Sequence, residues 1–256
     1  MKVLFYIFVI IAVIGTSCSN TESPISDNKL FETNHTFGDS YFRYSYINNN
    51  VDQIIFHSDS TEYVYLKVNY LNNSDSKIKS VNYNQVTQTY LQHDTLIYSS
   101  QNLTQIIKIT TENGKITRRD TTNFLYDLEN RLIQARNKIR EVDFLEYEGK
   151  TFKRVKYYMY SQLQSDILLK YDNMISPFKD LGYLNLVFFN NNILERLEYL
   201  TDNNIVELSV NESRSIAYTK TYHYNYSYSS KDRPLTVTTI MEDYNEFRIE
   251  EYYRYK

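Results

Sequence analysis

The chain has 256 residues, with 28 Lys and Arg against 31 Asp and Glu, a formal net charge of −3, 27 Tyr, five Gly, one Cys and no Trp. Without a basic surplus it lacks the electrostatic means to hold a polyanion, which argues against nucleic acid as a partner. A single cysteine excludes an internal disulfide and any zinc site built on paired thiolates.

Lys2 is followed by an uncharged apolar run, Val3 to Ile14, and then by the small residues Gly15, Thr16 and Ser17. This is the layout of a secretory signal. A spanning helix needs about 20 apolar residues, so the run is too short to be one comfortably. An ordinary signal peptide cut near Ser17 and an uncleaved anchor are two readings of it. A third uses the cysteine. Gly15-Thr16-Ser17-Cys18 resembles a bacterial lipoprotein signal, in the looser form seen in Bacteroidota, with no Leu three residues before the cysteine. That resemblance implies a signal peptide over residues 1–17, acylation of Cys18, and the membrane as a partner through the N-terminal lipid. Each buried methylene contributes about 0.8 kcal/mol, so two or more chains on one residue hold a protein where one would not. Ser19 and Asn20 supply no inner-membrane retention aspartate, so the expected location is the outer membrane, on its periplasmic or its surface face. Loss of the signal removes Lys2 and leaves 27 basic against 31 acidic residues, a net of −4.

Residues 18–29 carry Pro24, Ser and Asn with little apolar content and read as a flexible lipidated tether. Residues 30–256 show no further shift in composition and read as one domain. Within it, Phe42, Tyr44 and Tyr46 alternate with polar residues, as do Val64, Leu66, Val68 and Tyr70 with their neighbours, and Tyr222, Tyr224, Tyr226 and Tyr228. A period of two places each set on one face of a strand. Asn113-Gly114 between Ile106–Thr111 and Ile116-Thr117 predicts a hairpin whose two tip residues take positive φ. Leu197–Leu200 and Ile205–Val210 around Thr201–Asn204 predict a second. Asn48–Asn50 and Asn72–Ser76 predict further tips. Leu125, Leu128, Leu132, Ala135, Ile139 and Val142 follow a heptad spacing that suits an amphipathic helix, while the same stretch also reads as strand, turn and strand. A short helix or turn is placed around Pro177–Leu186.

FLYDLENRLIQA (Phe124–Ala135), YEGKTFKRV (Tyr147–Val155) and YSYSSKDRPLTV (Tyr226–Val237) share an aromatic, a polar turn, a basic residue and an apolar strand. The pattern resembles the YD repeat, and more closely YD-repeat-like lipoproteins of unknown function in Bacteroidota. The segment Lys170–Asn192, with its Tyr-Asp-Asn and Pro-Phe, is similar to a loop between hairpins in those proteins. In the turn, Asn130 and Asp232 stand where a true YD repeat has Gly before Arg. The resemblance implies a fold and no catalytic residues. The expected fold class is all-β, a long antiparallel meander of hairpins forming a curled or partly closed sheet.

Chemistry is sparse. His35, His57, His93 and His223 are far apart in sequence, none with a second ligand at metal spacing. No Gly-x-Ser-x-Gly elbow is present, and Asn72–Ser76 and Asp202–Asn204 lack the order of a calcium loop. Glu250 and Glu251 are adjacent on a predicted strand and so face opposite ways. Asn34, Asn72, Asn102, Asn211 and Asn225 begin Asn-x-Ser/Thr triplets, discounted as products of an Asn-rich composition. Asp59-Ser60-Thr61, Asp94-Thr95-Leu96 and Asp120-Thr121-Thr122 resemble Bacteroidota O-glycosylation acceptors. The tyrosine faces remain the best lead, since Tyr offers flat apolar area with a polar tip. The expectation is a non-enzymatic, lipid-anchored envelope protein of structural or interaction-mediating type, without cofactor or metal. The alternative is a carrier for an apolar or glycan ligand on a concave Tyr-rich face. An envelope protein, a lipid or a glycan is the expected partner.

Overall fold

The computed structural model describes residues 29–35, 40–58, 61–71, 77–83, 90–191, 197–213, 218–242 and 244–255. The strands in chain order are β1 (Leu30–His35), β2 (Tyr41–Ile47), β3 (Asn50–Ser58), β4 (Thr61–Tyr70), β5 (Ile78–Tyr83) and β6 (Tyr90–Ser99). They continue as β7 (Asn102–Glu112), β8 (Lys115–Tyr126), β9 (Leu132–Arg136), β10 (Arg140–Glu148), β11 (Thr151–Met159) and β12 (Gln162–Ile175). The last are β13 (Asn203–Glu212), β14 (Tyr218–Tyr228), β15 (Pro234–Met241) and β16 (Tyr244–Tyr255), and one helix, α1 (Leu184–Asn191), lies between β12 and β13.

Every strand pairs antiparallel with its sequence neighbours, and β1 pairs with β16, so the meander is a closed 16-strand barrel. A curled or partly closed sheet was expected; closure goes further because an open meander would leave two unpaired edges. The seam sets Leu30 opposite Tyr255 and Glu32 opposite Arg254. Glu32 there accepts from Arg254 Nη1 at 2.9 Å and from Arg43 Nε at 3.2 Å.

The predicted tips form where the backbone must turn left-handed. Asn48 and Asn49 take φ of 49° and 66°, and Asn113 and Gly114 take 50° and 75°. The Asn72–Ser76 tip lies outside the described residues. The heptad reading of Leu125–Val142 is overturned, since this stretch is the end of β8, then β9 and the start of β10. A helix would have buried its leucines as one stripe; instead Leu125 and Leu128 are 51% and 104% exposed while Phe124 is buried. The hairpin expected at Leu197–Val210 is also corrected. Leu197–Leu200 is a 3₁₀ turn, and only Asn203–Glu212 is strand, paired with β12 and β14.

The polar-apolar alternation decides inside from outside. Phe42, Tyr44 and Tyr46 face the core from β2, and Tyr222, Tyr224 and Tyr226 from β14. In β4 the phase slips at a bulge between the partners of Ile54 and Ile55, so Leu66 and Val68 are buried whereas Val64 leaves the inward row.

The repeat of the sequence is a recurring rim motif. A tyrosine stands at or near the end of each even-numbered strand: Tyr46, Tyr70, Tyr98, Tyr126, Tyr147, Tyr171, Tyr228 and Tyr255. Tyr46, Tyr70, Tyr98, Tyr126, Tyr171 and Tyr255 donate to the carbonyls of Leu30, Val51, Ile78, Leu103, Phe152 and Pro234 at 2.6 to 3.0 Å. Tyr147 donates likewise to Leu132, and Tyr228 to the Asp172 carboxylate. Each acceptor carbonyl sits at the start of the preceding strand, so one phenol gives it a partner and ties the two strand ends together. Lys29, Lys77, Arg131, Lys153 and Arg233 lie over the rings of Tyr46, Tyr98, Tyr147, Tyr171 and Tyr255 at 4.7 to 5.9 Å. The turns share a mechanism too. Asp127 Oδ1 accepts from the amides of Glu129 and Arg131, and Ser229 Oγ from those of Lys231 and Arg233. Asn130 and Asp232, before the arginines, take φ of 60° and 57°, a conformation that Asn and Asp adopt more readily than most residues with a Cβ.

A barrel of 16 strands leaves a wide lumen. The described residues of the β12–β13 insertion, 176–191 and 197–202, fill part of it. Ser176 N donates to Asp202 O at 2.9 Å and pinches the neck of the insertion. A 3₁₀ turn at Lys179–Leu181 and α1 occupy the region where Pro177–Leu186 predicted a short helix or turn. Leu184, Val187 and Phe189 are fully buried, and Phe189 packs on Phe144 of β10 at 5.7 Å. Thr122 of β8 donates to Asn190 Oδ1 at 2.6 Å, and Arg233 holds Asp180 at 2.8 Å. Phe178 meets Tyr253 of β16 at 5.9 Å, so the insertion touches widely separated parts of the wall.

Candidate functional site: a cup inside the barrel

The insertion does not fill the lumen beside β12–β16. There a hollow of about 490 Å³ remains. Its walls are Ser165 and Ile167 of β12, Ile205, Leu208, Val210 and Glu212 of β13, and Tyr222, Tyr224 and Tyr226 of β14. Val237 and Thr239 of β15 and Glu251 and Tyr253 of β16 complete them. Leu197 and Glu198, from the 3₁₀ turn of the insertion, form its floor. Ser165 and Glu212, a cross-strand pair, lie toward the rim opposite the tyrosines. The hollow is therefore a cup with its floor on the side of the tyrosine rim, where the chain enters at Lys29. Its volume falls in the range of sites for small ligands, roughly 300–1,000 Å³.

Two phenols of this wall, Tyr226 and Tyr253, hold their protons. Burial pushes the Tyr226 hydroxyl well above its ordinary range, and the Glu198 charge adds to the effect. Burial does the same to Tyr253, followed by the charge of Glu251, whose Oε2 accepts from the Tyr253 hydroxyl at 3.0 Å. Three carboxylates, Glu198, Glu212 and Glu251, come to the cup from three different elements, and among the described residues its lining includes no Lys or Arg. Lys220 faces the lumen from β14, opposite Val210.

A second polar region lies inside β6–β8. Asp94, fully buried, sits opposite Lys108, and Lys108 sits opposite Asp120. Burial lowers the Lys108 ammonium, and the charges of Asp94 and Asp120 oppose that shift. This ladder joins three strands and is a register device of the wall.

The outer wall carries charged clusters among scattered exposed apolar side chains such as Ile97, Leu125 and Leu168. Arg154 of β11 holds Asp166 through Nε–Oδ1 at 2.8 Å and Nη2–Oδ2 at 2.6 Å, and Glu146 at 2.8 Å. Lys170–Glu207 at 2.8 Å, Gln134–Asp143 at 2.9 Å and the Arg43–Glu32–Arg254 cluster continue it around the barrel. In a membrane-spanning barrel this face would be an apolar band about 25 Å tall, and each Arg or Lys at its middle would cost about 2–4 kcal/mol.

The histidines do not converge. His57 stacks on Tyr41 at 4.6 Å and its Nδ1 lies 3.1 Å from Glu62. His93 bonds Thr95 and Asn82 on the outer face, with Asp94 on the inner one. His223 is 3.9 Å from Glu207, and the His35 side chain is outside the described set. Among the described residues no group of three or more His, Cys, Asp or Glu could hold a metal. Asp202–Asn204 forms the neck of the insertion, with Thr201 Oγ1 donating to Asn203 O at 2.9 Å. Thr95 and Thr121 stand on the outer wall, and Asp59 and Ser60 lie outside the described residues. Cys18, the predicted lipidation site, also lies outside them, with the whole of residues 1–28. Glu250 and Glu251 face opposite ways as expected, Glu250 bonding Tyr252 outside and Glu251 bonding Tyr253 within. Sequence reasoning found the tyrosine wall of the cup through its period of two. It missed Glu212 and Tyr253, whose only signal was an inward phase on strands not yet assigned as neighbours, and Glu198, which reaches the cup from the 3₁₀ turn.

No known protein family matches the chain, and no curated protein sequence does either. Solved structures do. A porin-like protein from Bacteroides uniformis, 12% identical, covers 91% of this chain and 98% of its own, with a TM-score of 0.55. A porin-like protein from Bacteroides vulgatus, 9% identical, covers 90% of this chain and 99% of its own at a TM-score of 0.40. The first of these shares the fold, an all-β antiparallel meander closed into a barrel.

Proposed function

We propose that this chain is a non-enzymatic binding protein of the bacterial envelope, tethered through a lipid on Cys18, whose half-hollow barrel holds a small amphipathic ligand. The observation that carries the reading is the cup. The described part of the insertion packs into the lumen yet leaves about 490 Å³ against a wall of four tyrosines and six aliphatic side chains. A purely structural barrel would gain by filling that space, since each unfilled volume forfeits packing. The charged outer wall favours a barrel standing in water beside the membrane over one spanning it. The first strand begins at the tyrosine rim, where Leu30 O accepts from Tyr46, so a tether would join the barrel at that end. The porin-like description of the B. uniformis protein is compatible with an envelope location.

Two experiments test the reading. Native mass spectrometry of the full chain from its host should show a bound small molecule, which Thr239→Trp, placed to fill the cup, should remove while far-ultraviolet circular dichroism is unchanged. Absence of any adduct, together with a Thr239→Trp protein that takes up every probe as the parent does, would reject the binding role. For the anchor, Cys18→Ser should abolish palmitate incorporation, and continued labelling would rule lipidation out.

A further inference from the structure

We infer that the tyrosine rim rests on the bilayer surface along the arc from β2 to β9, with aliphatic side chains of four successive hairpins set among the lipid headgroups. The inference goes beyond the cup and takes only its choice of partner from the lipid on Cys18. On that arc Ile47 ends β2, Leu71 follows β4, Ile97 stands near the end of β6, and Leu125 and Leu128 lie at the end of β8 and in the turn after it. All five are exposed. Strands of a sheet are about 4.8 Å apart, so consecutive hairpins carry these side chains about 10 Å from one another. Single exposed aliphatic residues are ordinary, whereas one on each of four neighbouring hairpins at one end of a barrel makes a collar. The pairs Arg154–Asp166 and Lys170–Glu207 lie on β11–β13, outside this arc.

The turn after β8 does not need its leucine. Residues 127–131 and 229–233 are the same turn built twice: Asn130 N donates to Asp127 O at 3.1 Å, and Asp232 N to Ser229 O at 3.1 Å. In both, a side-chain oxygen of the first residue accepts from the amides of the third and fifth. The second position is Leu128 in one and Ser230 in the other, and Leu128 is wholly exposed. Serine serves the turn, so the leucine serves a contact outside it. Where the chain enters the barrel points to the partner. Lys29 precedes β1 at this rim and is the eleventh residue after Cys18. Eleven residues reach at most about 40 Å even when fully extended, so an acyl chain on Cys18 holds this rim beside lipid and makes a weak contact sufficient. Charges among the described rim residues are paired: Arg131 with Asp127 and Glu129, Lys153 with Glu148, and Arg233 with Asp180. The contact is therefore apolar, suited to a zwitterionic bilayer and insensitive to salt. Leu91 and Ile116, exposed at the opposite rim in one cross-strand row with Thr111, supply the control.

The chain has no Trp, so a single introduced tryptophan reports its own surroundings. Leu128→Trp and Ile116→Trp are compared in the purified full chain, with its lipid if it carries one, on phosphatidylcholine vesicles with brominated acyl chains. Leu128→Trp should lose at least about half of its emission relative to unbrominated vesicles, at low and at high salt, and Ile116→Trp less than about one-tenth. Ile47→Ser with Leu71→Ser, added to the Leu128→Trp chain, should at least halve that quenching while far-ultraviolet circular dichroism is unchanged. Quenching of Ile116→Trp alone, or of both tryptophans alike, would overturn the assignment of this rim. A protein that floats with the vesicles while neither tryptophan is quenched would overturn the rim contact and leave the anchor standing, and failure to float would overturn both. Leu128→Trp emission already blue-shifted without vesicles, in a protein of doubled mass, would give the collar to a second copy of the chain and overturn the membrane contact.

Discussion

Raising the pH should unfold this barrel in one steep step, because its tyrosines are tied into the fold as neutral donors. Burial raises the hydroxyls of Tyr46, Tyr70, Tyr126, Tyr171 and Tyr255 above their ordinary range, and does so most fully for Tyr226 and Tyr253. In the unfolded chain these phenols ionise near pH 10, while in the folded one they keep their protons. Above pH 10 the unfolded state thus binds fewer protons, and stability falls with rising pH; below it the stability they lend is fully present. Each such phenol removes about 1.4 kcal/mol per pH unit at full weight. Counting the five half-buried rim tyrosines at half weight and the two cup tyrosines in full gives about 6 kcal/mol per pH unit. Against a domain stability of about 5–15 kcal/mol, the barrel should open within about one to three units above pH 10. Tyrosinate absorbance and far-ultraviolet circular dichroism, read on the same samples, should show exposed phenols titrating first and then a joint cooperative change. A single smooth titration of all tyrosines with unaltered dichroism would refute the role given to the rim.

Tyr126→Phe keeps the ring and deletes the 3.0 Å bond to Leu103 O, so the urea midpoint should report a loss of about 1 kcal/mol. Phe189→Ala empties a fully buried position packed on Phe144 and should cost about 3–5 kcal/mol by the same assay. Lys108→Met removes the cation set opposite fully buried Asp94, while Asp120 keeps Arg118 at 2.5 Å, and should cost about 3–5 kcal/mol. Adding Asp94→Asn to Lys108→Met should recover much of that loss, and a double-mutant cycle showing strict additivity would remove the ladder from the account.

The local chemistry of the chain was legible without coordinates. The period of two in Tyr222–Tyr228 marks a strand with a tyrosine face, and Asn113-Gly114 marks a turn, because pleat geometry and positive φ act over a few residues. The repeat of aromatic, turn, base and aliphatic was visible too, and its meaning was contained in the spacing: seven of the eight rim tyrosines reach back one strand, and Tyr228 reaches Asp172. Leu125–Val142 shows where local reading divides, since a heptad stripe and two short strands fit the same leucines and only the neighbours across the sheet choose between them. Three things were decided by the tertiary structure alone. The pairing of Leu30 with Tyr255 closes the barrel through contacts between the two ends of the chain. The insertion after β12 turns inward because the lumen offers Phe144, Thr122 and Tyr253 as partners. Glu198, Glu212 and Glu251 converge on one hollow only once those two events have occurred. Secondary structure here follows from interactions between sequence neighbours, whereas the cup is made by residues whose proximity depends on how the whole sheet curves.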